Sequence, residues 1–222
     1  MKISQKRRKI GYTYSSLSGS LPFRKLKSID FESTLERDLL ISLEHDSTVL
    51  DVIEQPVTIE YINKNGREAS YTPDFLVSYS IAYGESKAPC SKLIEVKPTE
   101  ILCNDWESLK QKFKVGVAFA KENDYIFKIY NEARIHTKYF YNVRLIKMYR
   151  NYKPTRDVAD QVYREIMLND ALSVQGLAEA FKKTNSSIDN LFKVVCYLLM
   201  VKVLECDMTH PLSETSLIWM KK

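Results

Sequence analysis

The chain has 222 residues, of which 45% are hydrophobic, and a formal net charge of +5 at pH 7. This length suffices for one substantial hydrophobic core, or for one core with a small second domain. No apolar run is long enough for a transmembrane helix, and the basic N-terminus is not followed by the apolar stretch of a secretory signal. We therefore expect a cytoplasmic protein.

Neither the cysteines nor the histidines predict a metal site. The four cysteines lie at positions 90, 103, 196 and 206, without the Cys-x-x-Cys spacing of a zinc site. The three histidines, at 45, 136 and 210, are widely scattered. We expect reduced thiols and neither a zinc site nor a disulfide framework.

Positive charge is concentrated at the start of the chain. Residues 1–28 contain eight Lys or Arg residues and no acidic residue. Such a segment binds nucleic acid because it releases counterions from the phosphates, so we expect a DNA-binding arm; a solvated tail without a partner is the alternative. The candidate DNA-binding residues are Lys6, Arg7, Arg8, Lys9, Arg24, Lys25 and Lys27.

Apolar periodicity predicts an α/β domain over residues 29–150. A four-residue spacing predicts an amphipathic helix from residue 31 to about 44, and alternation predicts a strand over 57–62. Asn65-Gly66 favours a tight type I′ turn into a strand that ends near Tyr71. Further predicted elements are extended segments at 75–77, 93–97 and 125–130 and helices at 104–121, with Asn104 as N-cap, and at 137–150. Because the helix at 104–121 would cross between two strands, we expect a mixed sheet.

The composition changes at residues 151–154, which we interpret as a linker. Beyond it, helical patterns at 155–168, 173–181 and 187–202 precede two short strands, which is the outline of a winged helix. The third helix is largely apolar, with only Lys193 and Lys202 as basic residues. A DNA recognition helix carries polar and basic side chains, so protein docking is favoured for residues 155–222.

The segment 93–97 carries the strongest chemical signal. Its two-residue period places Glu95 and Lys97 on one face of a strand. Asp74 lies near the end of a strand that could pair with this one. Hard cations such as Mg²⁺ bind carboxylate and carbonyl oxygens, so Asp74, Glu95 and the carbonyl of Val96 are candidate metal ligands. Lys97 would orient an attacking water or offset charge that develops on a phosphate.

Glu36, on the upstream helix, is the fourth candidate acid. It would bind metal through water or hold a second ion. Ser33 and Glu36 also match a capping box, although a helix that starts at residue 31 argues against this interpretation. Glu32, one turn earlier, is the rival acid.

Simpler structural explanations exist for the other candidates. Glu95 and Lys97 could form a surface ion pair, and Asp74 could be an ordinary turn residue.

Four motifs in this order and spacing resemble the TnsA endonuclease family. They are Ser-Thr-Leu-Glu-Arg-Asp at 33–38, Glu-Gln-Pro at 54–56, Tyr-Thr-Pro-Asp-Phe at 71–75 and Leu-Ile-Glu-Val-Lys at 93–97. TnsA is the restriction-enzyme-like subunit of heteromeric cut-and-paste transposons related to Tn-seven, some of them CRISPR-associated. The resemblance covers residues 25–150 and extends more loosely over the C-terminal region.

The resemblance implies a bacterial endonuclease that depends on Mg²⁺, for which Mn²⁺ would substitute, and that cleaves the 5′ strands at transposon ends. It implies a TnsB-type transposase as partner, and a TnsC-type AAA+ regulator that the C-terminal domain would contact. By motif position, the catalytic residues are Glu36, Asp74, Glu95 and Lys97. Gln55 also matches, without an evident chemical role. The implied organisation is a basic arm at 1–28, a restriction-endonuclease-like α/β domain with a mixed sheet at 29–150 and a winged-helix-like domain at 155–222.

Two other functions fit the same residues. A restriction or junction-resolving nuclease would share the core, but would need its own sequence readout or a self-complementary dimer face. A non-catalytic DNA-binding adaptor would instead use the basic arm and the winged helix.

Overall fold

The computed structural model describes residues 3–4, 17–24, 26–81, 88–181 and 188–221. They divide into two compact units, Met1–Ile135 and His136–Lys222. None of the described helices is both long and apolar enough to cross a membrane.

The first unit mixes strands and helices, as the sequence predicts. Its described strands are β1 (Ile3–Ser4), β2 (Gly19–Phe23), β3 (Lys27–Phe31), β4 (Val49–Glu54), β5 (Thr58–Ile62), β6 (Glu68–Tyr71), β7 (Phe75–Tyr79), β8 (Lys92–Val96) and β9 (Ile126–Tyr130). Its described helices are α1 (Thr34–His45), α2 (Thr99–Asn104), α3 (Trp106–Glu122) and α4 (Glu132–Ile135).

A four-stranded sheet with the order β4-β7-β8-β9 organises this unit. Strand β7 is antiparallel to β4 and β8, whereas β9 is parallel to β8. Parallel neighbours need a crossover connection, and α2 and α3 supply it between β8 and β9. The predicted mixed sheet is confirmed. The predicted N-cap at Asn104 is wrong, because Asn104 ends α2 and Asp105 precedes α3.

The two faces of this sheet pack against different helices. Helix α1 contributes Leu35, Leu39, Leu40 and Leu43 to a core cluster with Ile94 and Val96 of β8. Helix α3 contributes Phe119 and Ala120 to a second cluster with Leu93 and with Tyr71 of β6. Strand β8 is therefore buried on both faces, because Ile94 and Val96 pack towards α1 and Leu93 packs towards α3.

Strands β5 and β6 form the predicted hairpin in a separate sheet with the order β1-β5-β6. The predicted type I′ turn is wrong. Gly66 has a φ of +73°, but Asn65 is not left-handed, and a type I′ turn needs both central residues in that region. The Asn63 N–H instead donates to the Arg67 carbonyl at 2.9 Å, which closes a longer loop.

Strands β2 and β3 pair as an antiparallel hairpin that was not predicted from the sequence. Phe23, Ile29 and Phe31 are buried in the first unit, so strands β2 and β3 belong to its fold and are not part of a free basic arm. The predicted start of the helix at residue 31 is also wrong, because Phe31 ends β3 and Ser33 is the N-cap of α1.

The second unit packs helices against a three-stranded antiparallel sheet with the order β10-β12-β11. Its described elements are α5 (Lys138–Lys147), α6 (Arg156–Asn169), β10 (Ala171–Leu172), α7 (Val174–Ala180), α8 (Ile188–Met200), β11 (Leu204–Cys206) and β12 (Ile218–Met220). Ile146 of α5 lies in the same core as α8, so this unit begins well before the linker expected at 151–154.

Burial explains the apolar character of α8. Its residues Leu191, Val194, Val195 and Leu198 lie in the core of the second unit. The apolar stretch is therefore required by the packing of this unit.

Candidate active site

The C-terminal end of β8 brings a carboxylate and an ammonium group together. The Lys97 Nζ atom lies 2.8 Å from Oε1 of Glu95. Glu95 is only 4% exposed, so the interpretation of this pair as a surface ion pair is wrong. A buried carboxylate in an ion pair is costly to desolvate, which makes it a candidate for function.

Asp74 reaches the same end of β8 from the neighbouring strand. It immediately precedes β7, whose residue Phe75 pairs with Ile94 of β8. Its Oδ2 atom accepts a hydrogen bond of 2.6 Å from the backbone N–H of Val96. The antiparallel register thus places Asp74 beside Glu95, although about twenty residues separate them along the chain.

The charges at this site influence one another strongly. Burial, with the nearby Glu95 carboxylate, raises the pKa of Asp74 well above its usual range, against the opposing effects of Lys97 and the Val96 N–H. Burial alone would lower the pKa of Lys97, but the Asp74 and Glu95 carboxylates raise it. The ammonium group therefore stays protonated at neutral pH.

Glu36 interacts electrostatically with this group while its side chain caps α1. Its carboxylate accepts hydrogen bonds from the Glu32 N–H at 2.8 Å and the Ser33 hydroxyl at 2.9 Å, and its own N–H donates to the Ser33 hydroxyl at 3.1 Å. Ser33 and Glu36 therefore cap α1 together as the sequence pattern suggested, although the Glu36 carboxylate accepts from the Glu32 N–H and not from the Ser33 N–H of a standard capping box. Burial raises the pKa of Glu36, whereas these hydrogen bonds and Lys97 oppose the rise.

Tyr71 contacts the site although no role was predicted for it. Its hydroxyl donates a hydrogen bond of 2.8 Å to Oε2 of Glu95. Burial, with the Glu95 charge, raises the pKa of Tyr71 above its usual range, so the hydroxyl stays protonated. The only sequence signal was its place at the head of the Tyr-Thr-Pro-Asp motif.

Gln55 connects Asp74, which precedes β7, with Glu32, which precedes α1. Its N–H donates to the Asp74 carbonyl at 2.8 Å, and its side-chain amide donates to Oε1 of Glu32 at 3.1 Å. Gln55 adopts a left-handed φ of +43°, which is strained for a residue other than glycine. The rival acid Glu32 therefore contacts Gln55 and, through its backbone, Glu36.

Residues 46–132 match the family model described as TnsA-like endonuclease N terminal. This segment of the chain is a TnsA-like endonuclease domain. The resemblance inferred from the motifs is thus confirmed. The matched segment contains Asp74, Glu95 and Lys97, while Glu36 and the second unit lie outside it. No curated protein matches the chain.

The donor set of this TnsA-like domain fits a hard divalent cation by its chemistry. The single positive charge of Lys97 faces three carboxylates, those of Asp74, Glu95 and Glu36. A divalent ion bound to these oxygen ligands would offset the remaining negative charge and would lower the raised pKa of Asp74. Among the described residues, however, no group of three or more His, Cys, Asp or Glu side chains already surrounds a common metal position.

The predicted DNA-binding residues divide into two sets. Lys6, Arg7, Arg8, Lys9 and Lys25 lie outside the described residues. Arg24 donates from Nη2 to the Asp46 carbonyl at 2.5 Å, just after the end of α1. Lys27 Nζ lies 2.6 Å from Oδ1 of Asp51, on β4. Both described residues thus make contacts within the first unit, which connect the β2–β3 hairpin to its neighbours.

Proposed function

We propose that this chain is a metal-dependent DNA endonuclease that cleaves the 5′ strands at transposon ends in the bacterial cytoplasm. The observation that supports this most directly is the meeting of Asp74, Glu95 and Lys97 at one end of β8, within the segment that matches the TnsA-like endonuclease family. We propose a TnsB-type transposase and a TnsC-type AAA+ regulator as its partners.

The chemistry of the residues supports hydrolysis of a phosphodiester. Asp74, Glu95 and the Val96 carbonyl would hold Mg²⁺ or Mn²⁺, and Glu36 would contribute through water or a second ion. A bound divalent ion activates water and polarises a phosphoryl oxygen. Lys97 is held by Glu95 and remains charged, so it can stabilise the negative charge that develops on the phosphate.

We propose a restriction-endonuclease-like fold for the first unit and a winged-helix-like fold for part of the second. The mixed sheet β4-β7-β8-β9 with α1 and α3 on its faces supports the first assignment. Helices α6, α7 and α8 with the sheet β10-β12-β11 support the second. We propose from the family resemblance that this domain contacts TnsC, and, because α8 is largely apolar and its apolar residues are buried in its own unit, that α8 does not read DNA sequence.

The test separates DNA cleavage from DNA binding. The full chain carrying Asp74→Ala is compared with wild type and with Glu68→Ala, which removes an exposed acid of β6 in the same unit. We expect Asp74→Ala to abolish cleavage of transposon-end DNA in the presence of both partners and to leave DNA binding largely unchanged. Glu68→Ala should retain both activities. Cleavage retained by Asp74→Ala would move the active site elsewhere and favour the adaptor function.

A further inference from the structure

Tyr71 reaches the candidate active site from a different sheet. It is the last residue of β6, where it pairs with Ile59 of β5, whereas Glu95 lies on β8 of the mixed sheet. The ring of Tyr71 is buried and packs in the core cluster beside α3. Its hydroxyl nevertheless meets Oε2 of Glu95 at 2.8 Å. A single side chain therefore connects the edge of one sheet with the centre of another.

A glycine on α3 provides the space for this ring. A Cβ atom on Gly116 would lie 2.9 Å from Cε1 of Tyr71 and 2.7 Å from Cε2 of Phe127, which is closer than real Cβ contacts. Glycine inside a helix costs about 1 kcal/mol relative to alanine. The close approach of α3 to Tyr71 gives a physical reason for a glycine here.

The Glu95 carboxylate is held at both of its oxygens by groups of different charge. Oε1 faces the Lys97 ammonium at 2.8 Å, and Oε2 accepts from the neutral Tyr71 hydroxyl at 2.8 Å. The ammonium offsets the negative charge of Glu95. The hydroxyl is neutral, so it fixes the orientation of the carboxylate without offsetting its charge any further. Groups that orient a metal-binding carboxylate in this way tune its affinity for the metal.

We propose that Tyr71 is a positioning residue that sets the orientation of Glu95 for metal binding, and that Gly116 allows the Tyr71 ring to reach it. This inference rests on the proposed function, because it takes Glu95 as a metal ligand. It gives separate roles to the two ends of the Tyr-Thr-Pro-Asp motif. Asp74 supplies a ligand, and Tyr71 orients the ligand on the neighbouring strand.

The test is a titration of the full chain with Mn²⁺, followed by electron paramagnetic resonance of the free ion. Tyr71→Phe removes only the hydroxyl. Tyr61→Phe is the matched control, because Tyr61 lies on β5 and packs against the same core cluster. We expect Tyr71→Phe to weaken Mn²⁺ binding about tenfold, while Tyr61→Phe binds like wild type. Gly116→Ala, with its fold checked by circular dichroism, should weaken binding in the same direction.

A second readout separates this inference from the proposed function. The Mg²⁺ concentration for half-maximal strand cleavage is measured with both partners present and should rise in Tyr71→Phe but not in Tyr61→Phe. Unchanged Mn²⁺ affinity in Tyr71→Phe, with wild type cleaving DNA, would overturn the role of Tyr71 and leave the nuclease assignment intact. Weakened Mn²⁺ binding in a chain that never cleaves DNA would support the role of Tyr71 and overturn the nuclease. A wild-type chain that neither binds Mn²⁺ nor cleaves would overturn both.

Discussion

The backbone N–H of Val96 donates a hydrogen bond of 2.6 Å to the carboxylate of Asp74. This bond joins the residue before β7 to the end of β8, and it holds the half-buried Asp74 next to the buried Glu95. Two carboxylates in such a position repel each other, and burial adds to the cost of their charges. The fold therefore maintains an arrangement that is unfavourable for stability and favourable for binding a cation.

Asp74→Asn should stabilise the metal-free protein while abolishing DNA cleavage. The pKa of Asp74 is raised in the folded state, so the folded chain binds a proton more readily than the unfolded chain. The free energy of unfolding therefore falls as the pH rises from the pKa of Asp74 in the unfolded chain through its higher pKa in the folded chain. The charged Asp74 thus destabilises the protein at neutral pH. The asparagine can still accept from the Val96 N–H. We expect a gain of about 0.5 to 2 kcal/mol near pH 7 that disappears near pH 4.

Calorimetric melting of both proteins in metal-free buffer at the two pH values measures this effect. A loss of stability in Asp74→Asn near pH 7 would show that the Asp74 charge is compensated within the chain.

Substitutions of Gln55 should separate the strain of its backbone from the contact of its side chain. Both Gln55→Gly and Gln55→Ala remove the amide that donates to Glu32, but only glycine accepts the left-handed φ of +43° without strain. Gln55→Gly should therefore be more stable than Gln55→Ala, by about 1 kcal/mol. Urea unfolding of the two variants measures the difference. Equal stabilities would show that this backbone conformation relaxes at no cost.

The four cysteines should differ sharply in reactivity. Cys90 and Cys103 are exposed, whereas Cys196 and Cys206 are buried in the core of the second unit. Burial raises the pKa of Cys196 to about 12 and that of Cys206 to about 11. Since the thiolate is the reactive form, the buried pair should resist alkylation.

Iodoacetamide labelling of the native chain at mildly alkaline pH, read by peptide mass spectrometry, should modify positions 90 and 103 first. Rapid labelling at Cys196 would contradict the packing of α8. Labelling after denaturation provides the control, because all four thiols should then react.

Asn142 should be essential for the stability of the second unit. It is only 3% exposed. Its amide donates to the carbonyls of Met208 and His210, and its Oδ1 accepts from the Leu212 N–H. Asn142→Ala would leave these backbone groups without their partner, which we expect to cost about 2 to 4 kcal/mol.

The matched control for Asn142 is Asn169→Ala, which removes an exposed amide bonded to the Glu165 carbonyl. It should cost about 1 kcal/mol or less. Chemical unfolding monitored on the full chain gives both values. Similar losses in the two variants would argue against a special role of Asn142.

Local patterns predicted the centre of the fold and the candidate acids. The alternation in β8 and the Pro-Asp pair before β7 are short-range signals. The helical segment between β8 and β9 is long enough for a crossover, so β9 was expected to lie parallel to another strand of the sheet, as it does to β8. These features follow from periodicity and chain geometry, so Asp74, Glu95 and Lys97 could be chosen before the structure was known.

Contacts between distant segments were not predictable from the same patterns. The β2–β3 hairpin depends on where Phe23 and Ile29 become buried, and their sequence has no period that reveals it. The sequence allowed α1 to begin either at Phe31 or after a cap at Ser33. The structure has the later start, because Phe31 pairs with Gly19 in the β2–β3 hairpin. The Tyr71–Glu95 bond joins two sheets, so no spacing within one strand indicates it.

Strand-specific cleavage of a labelled transposon-end duplex tests the central claim most directly. The reaction contains Mg²⁺, a TnsB-type transposase, a TnsC-type regulator and either the wild-type chain or Lys97→Ala, with each DNA strand labelled separately. Our account predicts that Lys97→Ala loses the 5′-strand cuts, that the partner's 3′-strand cuts persist, and that the variant still binds Mn²⁺. Undiminished 5′-strand cuts in Lys97→Ala would contradict the assignment of the active site to the end of β8.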